Sequence, residues 1–114
     1  MIELYVSQTL QELHIKKRYY GYRLLAKASA LSLLDESRLL HVEAQIYQPV
    51  AEFYGCKAEN VARNIRTVSV RLWEDYPDAL RQVSGVSYSA PPSASELIEI
   101  VVTYVLRTWP QALP

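Results

Sequence analysis

Apolar residues recur at intervals of three and four along almost the whole of the 114-residue chain, while β-branched alternation bounded by turn residues is scarce. That spacing collects side chains on one face of a helix and not of a strand, so the chain reads as all-α, about six helices in a compact bundle without a β-wing. The length suits a single core, which predicts one domain over residues 1–114. Ile2 to about Leu13 forms a first amphipathic helix, and "GYRLLAKASALSLL" forms a second that ends near Asp35, where Asp-Glu-Ser offers a new cap. A third runs from about Ser37 to Tyr54. Pro49 lies inside it and demands a kink or a fresh start, which reduces the effective helix to Gln48–Tyr54. Past Gly55 the spacing predicts a helix from Ala58 to Glu74, halted before Pro77, then a short piece, "PDALRQV", and a polar loop. Pro92 and Ser93, followed by Ser95 and Glu96, open a last helix that Pro110 stops near Trp109.

Several function classes drop out on chemistry. Glu3 stands where a signal peptide needs basic residues, and "LIEIVVTYVLRTW" is broken by Glu99 and Arg107, short of the roughly 20 apolar residues of a membrane span. A lone cysteine, Cys56, can form no internal disulfide and suits a reducing compartment, so a cytoplasmic protein with no membrane partner is expected. His14 and His41 lie far apart with no ligand cluster beside them, and neither a nucleophile–base motif nor a glycine-rich phosphate loop occurs. No enzyme, metal or cofactor is expected.

Formal charge sums to zero, which counts against a general nucleic-acid binder, yet its distribution is uneven. Lys16, Lys17, Arg18, Arg23 and Lys27 follow one another without an acid, and Lys57, Arg63, Arg66 and Arg71 face only Glu59 in the same stretch. At roughly 100° per residue, Val61, Ile65, Val68 and Leu72 share one narrow stripe, and Asn60, Arg63, Arg66 and Thr67 project from the other side. Upstream, small Ala51 permits close helix crossing and Gly55 a left-handed turn, the layout of a helix-turn-helix whose second helix can enter a DNA major groove. This layout alone leaves purely structural use and DNA binding both open. So do Arg63 and Arg66, which could equally form a solvated face partnered by Glu59.

A longer pattern separates the two. "LQEL" with Gly21 and Tyr22, "IYQPVAEFYGCKAENVARNIR" with Trp73 beyond it, and "PPSASELIEIV" together resemble the C-terminal DNA-binding effector domain of the sporulation initiation response regulator family, in order and spacing over nearly the whole chain. The resemblance implies a six-helix domain that binds duplex DNA through its helix-turn-helix, in tandem copies on adjacent sites, and regulates transcription, with RNA polymerase and a second copy as further partners. Relatives carry an N-terminal receiver domain. None is read in this chain, which is expected to be a stand-alone relative or a shortened piece.

Carried over by position, the recognition helix falls on Ala58 to Trp73, with Arg63 and Arg66 at DNA-facing basic positions and Val61 and Ile65 at core positions. Asn60 replaces a basic residue and Ala62 an acidic one, so base preference is expected to differ, since arginine reads guanine and asparagine suits adenine. Asn64 and Thr67 are weaker candidates for base contact, while Lys17, Arg18 and Lys57 are expected to hold phosphates. The tyrosines of "KKRYYGYR" read as core residues, Tyr22 falling where the family buries a tyrosine. The rival expectation is a protein-interaction module that keeps the fold without specific DNA binding, motivated by zero net charge, Asn60, Ala62 and an exposed Val70.

Overall fold

A computed structural model describes residues 1–112. Helices α1 (Ile2–Glu12), α2 (Tyr20–Leu34), α3 (Gln48–Tyr54), α4 (Ala58–Asp75), α5 (Pro77–Ser84) and α6 (Ala94–Thr108) follow the expected order, and the described residues contain no strand. Around most of its circumference α6 is enclosed, by α1, α2, α4 and α5. Leu97, Ile98, Val101 and Val105 are fully buried, and Ile100 and Val102 nearly so. Its start is fixed locally. Ser93 Oγ accepts from the Glu96 N–H (3.1 Å) while Glu96 Oε1 accepts from the Ser93 N–H (2.8 Å), which satisfies two backbone donors that a helix leaves open.

The stretch from about Ser37 to Tyr54 divides, and its α-helix is Gln48–Tyr54, as Pro49 led us to expect. Glu36–Leu40 is a 3-10 turn capped by Asp35, whose Oδ1 accepts from the Ser37 N–H (3.0 Å), and a π-turn over Glu43–Tyr47 leads straight into α3. Pro49 accounts for the wider turn, because its ring would strike the carbonyl four residues back and it has no N–H to donate there. That carbonyl, on Gln45, accepts from Arg38 Nη1 at 2.6 Å. A side chain thus supplies the donor that proline withholds.

Helix α1 ends without glycine. His14 takes the left-handed conformation (φ 61°), the Ile15 N–H reaches the Leu10 carbonyl (3.0 Å) and the His14 N–H that of Gln11 (2.9 Å). These are the paired bonds of a Schellman ending, with Ile15 packed in the core beside Leu10. The His14 ring stacks on Tyr76 at 4.5 Å, tying this corner to the junction of α4 and α5. Helix α2 then crosses α4 at its own second residue. A Cβ built on Gly21 would lie 2.5 Å from Val68 Cγ2 and 2.7 Å from the Asn64 carbonyl oxygen, so only glycine allows this approach. The chain just before Gly21 is thereby laid along one edge of α4.

Candidate nucleic-acid interface

Helices α3 and α4 form the expected helix-turn-helix. Ala51 is 4 % exposed and faces the core, as its small size requires at a close crossing. Gly55 adopts φ 69°, and both its N–H and that of Cys56 (2.9 Å) turn back to the Ala51 carbonyl. An added Cβ at Gly55 would meet nothing within 4 Å, so backbone conformation and not space calls for glycine there. Cys56 is half-buried in the turn, and extended Lys57 starts α4 with its side chain in solvent.

Along α4 the stripe of Val61, Ile65, Val68 and Leu72 is buried, while Glu59, Arg63, Arg66 and Thr67 are exposed and Asn60 and Asn64 half-buried. The outward side chains are interlinked. Arg63 Nη1 donates to Asn60 Oδ1 (3.1 Å), Asn64 Nδ2 to the Asn60 carbonyl (2.7 Å) and Thr67 Oγ1 to the Arg63 carbonyl (3.1 Å). Asn60 therefore aims the Arg63 guanidinium and keeps its own amide N–H donors for a partner. Glu59, the carboxylate considered as a local partner, pairs with neither arginine. Among the described residues the ion pairs are Met1 with Glu3 and Arg81 with Asp78, so no carboxylate lies within 4.0 Å of Arg63 or Arg66.

Two loops flank this face. On one edge the 85–93 loop is fastened to α4 by Ser69 Oγ donating to the Pro92 carbonyl (2.6 Å) and Trp73 Nε1 to that of Tyr88 (3.0 Å). Arg66 leans toward the same loop, with Nη1 at 3.4 Å from the carbonyls of Pro91 and Pro92. The opposite edge carries Lys17 and Arg18, both exposed, on the segment that Gly21 holds against α4. Asn60, Arg63, Asn64 and Thr67 thus share one face. Arg66 sits at its loop-side margin, Lys57 at its N-terminal end, and Lys17 and Arg18 beyond its far margin.

Three expectations need correction. Tyr20 is 42 % exposed, because it starts α2 on the outer side of the crossing, and is not a core residue. Tyr19 is half-buried against arginines. Tyr22 does pack on the core, with its hydroxyl 3.3 Å from Ser7 Oγ. Val70 is half-buried and not the fully exposed apolar side chain expected. Sequence reasoning also passed over Arg71, whose guanidinium lies 4.7 Å from the Tyr19 ring centroid. Its helical angle was a usable signal, since 11 residues separate it from Asn60 and return it to within about 20° of the same direction.

Among the described residues no three His, Cys, Asp or Glu side chains gather as a metal site, and no helix is long and apolar enough to cross a membrane. No curated protein matches the chain. The family described as "Sporulation initiation factor Spo0A C terminal" matches residues 6–105, from the first helix to the last turn of the sixth, and takes in the whole helix-turn-helix. An all-helical chain matched over that span belongs to the family of the C-terminal, DNA-binding domains of this sporulation factor.

Proposed function

We propose that the domain binds duplex DNA with sequence preference by inserting the outer face of α4 in the major groove, and that it regulates transcription by doing so. The observation that carries this reading is the unpaired state of Arg63 and Arg66 on the outward face of the second helix of a helix-turn-helix. Two surface guanidiniums without a carboxylate partner are available to polyanion, and a major groove admits an α-helix. Arg63, steadied by Asn60, is placed for a base edge or phosphate. Lys57, Lys17 and Arg18 surround the face where the phosphate strands would run. Pairing of two copies on adjacent sites and contact with RNA polymerase belong to the same proposal.

Selection from random duplexes at low salt tests it. A recurring sequence among the bound fragments is expected, and Arg63→Ala and Arg66→Ala are each expected to weaken binding and to lower the salt slope by about one. Folded protein that enriches no sequence, with both variants indistinguishable from the parent, overturns the proposal in favour of a protein-interaction module.

A further inference from the structure

Two cations converge on one tyrosine at the edge of α4. The guanidinium carbon of Arg71 lies 4.7 Å from the Tyr19 ring centroid and that of Arg18 lies 5.7 Å from the same ring. Both arginines are exposed, and exposed Lys16 stands three residues before Tyr19. Partial burial pushes the Tyr19 phenol up, but Arg71 and Arg18, helped by Lys16, outweigh it and leave the phenol below its ordinary range. Glu74 and Asp75, three and four residues past Arg71, are the nearest carboxylates along the helix, and Asp75 lines the same cleft, yet both stay outside ion-pair distance of Arg71. Like charges gathered on a ring without a counter-ion are held there by the ring face and await an anion.

The direction in which they wait is set by α4. Arg71 shares the outward azimuth of Asn60 and Thr67 but lies about 11 Å further along the axis than the midpoint of Asn60–Thr67. That exceeds half of the ~12 Å width of a major groove, so when Asn60–Thr67 reach base edges in a crossing helix, Arg71 has passed the groove and meets a phosphate strand. We infer that Tyr19 and Arg71, with Arg18, form a backbone clamp on the α2 side of the recognition helix, in which Arg71 and Arg18 bind DNA phosphates and Tyr19 is the positioning residue that aims both. This rests on the duplex-binding reading and adds to it residues that contribute affinity without base preference.

The test measures duplex affinity between 50 and 200 mM salt for the parent, Arg71→Ala, Tyr19→Ala, Tyr19→Phe and, as control, Arg63→Ala, on a selected duplex and on a scrambled one. Losing one phosphate contact lowers the slope of log affinity by about 0.9, so the parent's loss over that range exceeds the variant's by about 3.5-fold. Arg71→Ala is expected to show this on both duplexes equally. Tyr19→Ala is expected to lower the slope at least as much, and Tyr19→Phe, which keeps the ring, to match the parent. An unchanged slope in Arg71→Ala alongside a lowered one in Arg63→Ala overturns the clamp and leaves the recognition helix standing. Tyr19→Phe losing as much as Tyr19→Ala overturns the aiming role, because the ring is then not what holds the guanidiniums. A parent that binds no duplex at all overturns the duplex reading, and the clamp with it.

Discussion

Gly21→Ala pits two effects of opposite sign against each other. Alanine is the better helix former, and in a helix interior the exchange stabilises by about 0.5–1 kcal/mol, less in the first turn where Gly21 sits. Against this, the new methyl would stand 2.5 Å from Val68 Cγ2, 2.7 Å from the Asn64 carbonyl oxygen and 3.3 Å from its carbon. The Val68 methyl is on a branched side chain that is stiff in a helix, and the Asn64 carbonyl is backbone. Neither can retreat alone, so α2 and α4 must separate. Overpacking of this kind costs about 1–3 kcal/mol, which leaves a net loss of about 1–2 kcal/mol after the propensity gain. For a domain of this size that amounts to a fall in melting temperature of about 4–10 °C. Thermal melting followed by far-UV circular dichroism measures it, with helical content at 20 °C unchanged. Because the displaced carbonyl belongs to α4 itself, duplex affinity is expected to fall with it. A melting temperature equal to or above the parent's would refute the reasoning, since propensity would then outweigh the contact.

Further outcomes follow from local bonds. The backbone N–H and hydroxyl of Ser93, the backbone bond foremost, hold the Glu96 carboxyl below the ordinary glutamate range, with a minor contribution from Arg66. A depressed folded value contributes stability above the unfolded value of about 4.3 and loses it as pH falls through the folded one, so the urea midpoint should drop more steeply between about pH 5 and pH 3 in the parent than in Glu96→Gln. Arg38→Met keeps the aliphatic stem but removes the donor to the Gln45 carbonyl. It is expected to cost about 1 kcal/mol in denaturant unfolding, and an unchanged midpoint would show that water serves that carbonyl equally well.

Helix positions were legible where punctuation is chemical. Gly55, Pro77, Ser93 with Glu96, and Pro110 each bound an element at its expected place to within a residue or two. The segment from Glu36 to Tyr47 was not, because Leu39, Val42 and Ile46 keep a helical interval while Pro49 perturbs the hydrogen bonds behind it. The end of α1 fell within a residue of its expected place near Leu13, but its left-handed ending was not announced, since the position that glycine usually fills holds His14. On α4, periodicity alone sorted core from outward residues. What it could not supply was the company they keep. The lean of Arg66 toward Pro91 and Pro92 depends on a loop some 25 residues away in sequence, and the meeting of Arg71 with Tyr19 depends on the glycine crossing. Asn60 bonding Arg63 lies within one helical turn and was accessible in principle, but three-residue polar neighbours on a helix adopt many rotamers.

The buried helix α6 is an uneasy tenant of its conformation. Ile98, Ile100, Val101, Val102, Thr103 and Val105 are all β-branched. Each is up to ~0.7 kcal/mol worse than alanine as a helix former, so the segment is helical because its neighbours enclose it. Released from them, the same run has the composition of a strand, with no proline to interrupt it. Glu99 and Arg107 are the charges that stand between this stretch and self-association. Heating past the transition is therefore expected to end in aggregate and not in a reversible coil, and the lifetime of the protein in solution is set by how seldom the bundle opens.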